Sequence, residues 1–186
     1  MNKSKKITYG KNIYNNDEIK AVLRTLKNST QMGKSVDAFE KKISVLFNKK
    51  YGLMVNSGSS ALILALNVMN FKKGSEIITP CLNFGTAVSS IMLNNLKPIL
   101  VDCEVATLQI DVKKIESKIT KKTKAILVPN LIGGIPEWKK IRKIANKYKL
   151  MVIEDSADTL GATINNESTG IYSDISITSF YGSHVI

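Results

Sequence analysis

The sequence predicts an α/β fold, a three-layer αβα sandwich around a mainly parallel sheet, with a helical N-terminal segment before it. Two observations predict it. From Tyr51 onward, short apolar runs recur along the chain. Between most of them lie segments whose apolar residues repeat at helical spacing, which is the rhythm of βαβ units. A third observation limits the alternatives: the longest apolar run, 61–69, is broken by Asn67 and falls far short of the roughly 20 residues of a membrane span.

The elements follow in order. Segments 16–28 and 35–47 read as amphipathic helices. Asn16 is the expected cap of the first, and Ile19, Val22, Leu23 and Leu26 form its apolar stripe. The runs 51–55, 76–79, 97–102, 124–129, 150–155 and 174–180 read as buried strands. Helices are expected at 59–70, 85–95, 111–118 and 137–148. This divides the chain into an N-terminal helical segment, 1–50, and an α/β domain, 51–186. There is no internal repeat and no low-complexity linker.

The formal net charge is +12, almost all of it lysine; Arg24 and Arg142 are the only arginines. In stretches such as "KKIRKIANKYK" (139–149) the lysines alternate with apolar residues at helical spacing, as on solvated helix faces. Without aromatic interleaving or an arginine cluster, nucleic-acid binding is disfavoured. The basic N-terminus "MNKSKK" has no apolar stretch after it, so a secretory signal is not expected and the chain reads as cytoplasmic. Cys81 and Cys103 are too few for a disulfide framework, a metal site or an iron–sulfur cluster, and read as packed, reduced thiols.

In an open parallel sheet, ligands collect at the carboxyl ends of the strands. There stands "NSGSSALILAL" (56–66), a small-residue turn feeding a helix N-terminus. Its backbone N–H groups, the helix dipole and the hydroxyls of Ser59 and Ser60 make a phosphate site beside Gly58. Neither a Walker loop nor a GxGxxG pattern is present. Asp155 closes an otherwise apolar strand, as a turn cap or as the partner of a cationic group such as a protonated pyridine nitrogen. Phe84, in the loop "PCLNFGT" (80–86), could lie on a flat ring; alone, it would more often be core. Together these features fit pyridoxal phosphate chemistry.

With those residues in view, the chain resembles the sugar aminotransferase family named after DegT, DnrJ, EryC1 and StrS, a branch of the fold-type I pyridoxal phosphate enzymes. The resemblance runs in order through "STQMG" (29–33), "NSGSSAL" (56–62), "EIITPCLNFGTAVSSI" (76–91), the stretch 97–129, "VIEDSADTLGA" (152–162) and "DISITSFYGSH" (174–184). It implies that the sheet is that of the family's large domain. It also implies that Gly58, Ser59 and Ser179 face the cofactor phosphate, while Phe84 and Asp155 flank its ring.

One departure carries the functional expectation. Where family aminotransferases have the lysine that bonds to pyridoxal phosphate, this chain has His184, its only histidine. An imidazole forms no stable imine but can move protons near neutral pH. The resemblance therefore points to the family's 3-dehydrases, which use pyridoxamine phosphate on nucleotide-linked 4-keto-6-deoxyhexoses. Asp158, where aminotransferases commonly have glutamine, points the same way. In this reading His184 is the catalytic base and elimination removes the sugar's 3-hydroxyl. Completion then takes a partner reductase and an iron–sulfur cluster whose cysteines would lie beyond residue 186, or release after hydrolysis, with the cofactor's amine renewed from glutamate in that second subtype. The chain is expected to be an N-terminal piece of a homodimeric protein about twice as long, with part of the phosphate shell supplied by the second subunit. The rival readings are an aminotransferase that lost its lysine and a catalytically dead relative kept as a binding subunit.

Overall fold

The computed structural model describes residues 13–182 and His184; the remainder of the expected N-terminal segment, 1–12, lies outside the described residues. Five strands, β1 (Glu76–Pro80), β2 (Lys97–Val101), β3 (Thr123–Pro129), β4 (Met151–Asp155) and β7 (Ile175–Ile177), form one sheet in the order β2-β1-β3-β4-β7. Every neighbouring pair in it is parallel. Between β4 and β7 a two-stranded antiparallel hairpin projects, β5 (Thr163–Ile164) and β6 (Glu167–Ser168).

Alternation along the strands builds the three layers. Ile77, Ala125, Leu127, Ile153 and Ile177 face α3 (Gly58–Val68) and α4 (Gly85–Leu93), where they pack with Leu62, Leu66 and Ile91. Their neighbours Ile78, Ile126, Val128 and Val152 face the opposite way, onto Trp138, Ile141 and Ala145 of α5 (Trp138–Tyr148). The apolar residues of β1 and β3, and Val152 and Ile153 of β4, are thus each committed to one of two cores, as a parallel sheet covered on both faces requires.

Several expectations change. The first helix, α1 (Asn16–Asn28), is capped by Asn15 rather than Asn16: Asn15 Oδ1 accepts the Asp17 N–H at 2.7 Å, and Glu18 Oε2 accepts the Asn15 N–H at 2.7 Å. Its stripe of Ile19, Val22, Leu23 and Leu26 is solvent-exposed, and no residue of α1 is buried. Segment 51–55 forms no strand. It is tied to α2 (Lys34–Leu46) instead, where Glu40 Oε1 accepts the Met54 N–H at 2.7 Å. Gly52 is required in that contact, because a Cβ there would stand 2.5 Å from the Glu40 carbonyl oxygen. Segment 111–118 is two successive 3-10 turns, Val112–Lys114 and Glu116–Lys118, rather than a helix. Its two buried residues, Val112 and Ile115, are three apart, which suits a three-residue period. The 174–180 run is strand only over Ile175–Ile177. The thiols are free but not both packed: Cys81 is exposed and Cys103 partly so, because each lies past a strand end at the open edge of the sheet.

A candidate cofactor site at the carboxyl edge of the sheet

Because all five strands run the same way, the residues after Pro80, Val101, Pro129, Asp155 and Ile177 share one edge. The start of α3 joins them there. Ser57 caps this helix, accepting the Ser60 N–H at 3.1 Å, and its hydroxyl also donates to Ser60 Oγ at 3.1 Å. Gly58, the first helical residue, is pressed against the segment after β7: a Cβ on Gly58 would lie 3.0 Å from Ser179 Cβ and 3.2 Å from Ser179 Oγ. The glycine therefore lets the amino end of α3, with Ser59, close on Ser179 from across the sheet edge. That arrangement can hold a phosphate, since the free N–H groups and dipole of a helix start attract an anion.

Asp155 ends β4 and is buried; its Oδ1 accepts the Ala157 N–H at 3.1 Å. Burial pushes its carboxyl up from an ordinary 3.8 to about 6. The Ala157 amide opposes that shift, Asp158 adds to it, His184 opposes it and Glu154 adds a little. A buried carboxylate in this state would be relieved by a cation, and a protonated ring nitrogen is one. Asp158, in the turn that follows, accepts the Ile132 N–H on Oδ2 at 3.1 Å, while its Oδ1 stands 3.9 Å from His184 Nε2. His184 is partly buried, its ring lies edge-on to Tyr181 at 5.6 Å between centroids, and Nδ1 is buried without a partner among the described residues. Thr159 Oγ1 and Gln109 Oε1 are orphaned in the same way. A helix-start cradle, a buried acid with no cation bonded to it among the described residues and the unpartnered Nδ1 of His184 fit pyridoxal or pyridoxamine phosphate.

Two sets of expected residues are brought together: Gly58 packs against Ser179, and His184 stands by Asp158 in the turn that follows Asp155, near enough for both charges to act on its carboxyl. Phe84 stands apart from both. It precedes α4 and is 70% exposed as a residue, and its N–H donates to Asn83 Oδ1 at 2.8 Å. The ring is thus free to cover a ligand and is no part of the core. Ile132 was not legible as a site residue. It adopts a left-handed conformation, φ 54° and ψ 35°, which is costly for a β-branched side chain, and this turns its N–H onto Asp158. Ser57 was also missed, though a serine directly before a helix is an ordinary capping signal.

A family model, the DegT/DnrJ/EryC1/StrS aminotransferase family, matches residues 12–186. Among curated relatives, the GDP-4-keto-6-deoxy-D-mannose 3-dehydratase of Yersinia pseudotuberculosis is 34% identical, over 90% of this chain and 45% of its own length. The GDP-perosamine synthase of Caulobacter vibrioides is also 34% identical, over 84% of this chain and 42% of its own length. Among solved structures, Escherichia coli GDP-4-keto-6-deoxy-D-mannose-3-dehydratase with bound hydrated PLP superposes with a TM-score of 0.80 at 32% identity, covering 86% of this chain and 43% of that one. The chain thus spans less than half the length of these proteins.

Proposed function

The chain belongs to the DegT/DnrJ/EryC1/StrS aminotransferase family, and on that premise we propose that it is the cofactor-holding part of a pyridoxamine phosphate-dependent enzyme that dehydrates a nucleotide-linked 4-keto-6-deoxyhexose at carbon 3. The observation that carries the reading is His184: the family's cofactor-bonding lysine is replaced by the chain's only histidine, beside Asp158 and the Asp155 carboxyl. The bound cofactor would supply an electron sink through its protonated ring. Gly58 lets the start of α3 close on Ser179, so that the Ser59 amide and hydroxyl and the Ser179 hydroxyl would bind the phosphate together at the helix start. Asp155 would keep the ring nitrogen protonated, and Phe84 would cover the ring and exclude water. His184 would be the base that removes a proton from the cofactor's methylene carbon, with Asp158 orienting the imidazole and holding its charge. A second subunit completes the phosphate shell in a homodimer.

The test supplies the protein with pyridoxamine phosphate and GDP-4-keto-6-deoxymannose and follows exchange of the methylene proton with solvent. His184→Asn should keep the cofactor and lose exchange by roughly 10²–10⁴-fold, the usual worth of a positioned base. His184→Lys, given pyridoxal phosphate, should become covalently bonded to it, as read by borohydride trapping. Unchanged exchange in the asparagine variant would remove His184 from the reaction. A second reading, amino transfer to the sugar, is favoured by the equal identity of the perosamine synthase. A 4-amino sugar product, formed without loss of the 3-hydroxyl, would decide for it.

A further inference from the structure

Glu154 precedes Asp155 in β4, so the two carboxylates point to opposite faces of the sheet. Glu154 is wholly buried and no cation touches it among the described residues. Hydroxyl and amide groups surround it instead. Oε1 accepts from Asn130 Nδ2 at 3.0 Å, from Ser156 Oγ at 2.8 Å and from the Thr169 hydroxyl. Oε2 accepts from Ser173 Oγ at 3.2 Å and Ser176 Oγ at 2.8 Å. These donors come from the end of β3, the turn that carries Asp158, the 3-10 turn before β7, and β7 itself. Lys49 brings the nearest positive charge, donating from Nζ to the Gly170 carbonyl at 2.6 Å and to Ser173 Oγ at 3.2 Å.

From this arrangement we infer that Glu154 is a positioning residue, which holds β7 in register on β4 and so places Ser179 and His184 against Asp155. The need for such a device is visible in β7. It pairs with β4 over only three residues, Ile153↔Ile175, Glu154↔Ser176 and Asp155↔Ile177, at the edge of the sheet. Further anchors lie at its two ends, where Asp174 Oδ2 accepts the Val152 N–H at 2.6 Å and Thr178 Oγ1 donates to the Ser156 carbonyl at 3.0 Å. In its middle the sequence is Ile-Ser-Ile. A slip of one residue turns every side chain to the other face, setting an isoleucine against the buried carboxylate and taking Ser176 from it. The charge makes the wrong register costlier than a neutral side chain of the same size would. The same slip would carry Ser179 away from Gly58 and His184 away from Asp158.

The catalytic part of this inference rests on the cofactor reading above; the positioning part does not, and two readouts separate them. The chain's single histidine gives one imidazole Hε1 signal in NMR, which needs no cofactor. Glu154→Gln and Glu154→Leu should keep cooperative unfolding yet displace that signal. In protein that binds pyridoxamine phosphate and substrate, they should slow methylene exchange by about 10²-fold, with the KM changed little, as expected for a base misplaced by about 1 Å. Ser176→Ala, a milder variant should the glutamate variants fail to fold, should move the same two readouts in the same direction. A lowered Tm with the imidazole signal and exchange rate unchanged in the folded variants would overturn the inference, leaving Glu154 merely structural. A wild-type chain that binds no pyridoxamine phosphate would overturn the cofactor reading alone, while a displaced imidazole signal would still uphold the positioning role.

Discussion

The two faces of β4 treat neighbouring carboxylates in opposite ways. On the α5 side, Glu154 is saturated by five donors, and Asn130 passes the network on to Trp138 Nε1 at 2.8 Å. On the α3 and α4 side, Asp155 has the Ala157 amide and a proton affinity raised by burial. A satisfied buried charge belongs to the fold, whereas an unsatisfied one is kept for something that arrives later. The difference therefore marks which face is scaffold and which is site, and three substitutions test it.

The largest effect is expected on the scaffold face. Asn130→Leu strips a donor from Glu154 and leaves the Trp138 indole N–H buried without its acceptor. The loss should be on the order of 3–5 kcal/mol, read as a lower urea midpoint with an unchanged m-value. A loss under about 1 kcal/mol would mean that this network is not what holds the face together.

On the site face the sign reverses. With its carboxyl raised from 3.8 to about 6, folded Asp155 keeps a proton that the unfolded chain has already released. The stability from that proton is fully present below about pH 4 and is lost as the pH rises through about 6, after which the buried charge is a standing cost. Asp155→Asn should therefore stabilise the cofactor-free chain by on the order of 2–3 kcal/mol at pH 8 and by nothing near pH 4. Thermal melts at the two pH values check this, and an equal gain at both would assign the effect to packing.

Gly58→Ala should change stability least, by about 1 kcal/mol or less, because better helix propensity opposes the push against Ser179. Its consequence should appear in binding. Titration calorimetry with pyridoxamine phosphate should show weaker affinity in the variant, and equal affinity would place the phosphate elsewhere.

The legible part of the molecule was the part governed by local pattern. The runs at 76–79, 124–129 and 150–155 are strands with apolar residues on both alternating faces, and both faces are covered; 97–102 is a strand at the sheet edge, where Leu100 stays exposed. Asp155 and His184 could be placed because they stand at or beyond strand ends on a shared edge, whereas Asp158 was legible only through the family resemblance. Where pattern lacks a partner, it misleads. Segment 51–55 looks like β4 in composition, yet no ladder neighbour meets it among the described residues, and α2 takes its backbone instead. The stripe of α1 is amphipathic, but periodicity says nothing of what covers it. The β5–β6 hairpin carried a signal that went unused: Asn165-Asn166, both at positive φ (52° and 65°), suits a two-residue turn. The Glu154 network was out of reach, because its hydroxyls at 169, 173 and 176 become its partners only once the hairpin and the 3-10 turn fold back onto β4.

The brevity of β7 has a consequence in time as well as in space. An edge strand with three paired residues can open without the two cores coming apart, so its amide hydrogens should exchange by local opening while those of β3 wait for global unfolding. Ser179 and His184 ride on that same segment, which gives the pocket and the core separate lifetimes. A ligand bridging Asp155 and Ser179 would staple β7 to β4, and the most labile part of the sheet would then open no more often than the ligand departs.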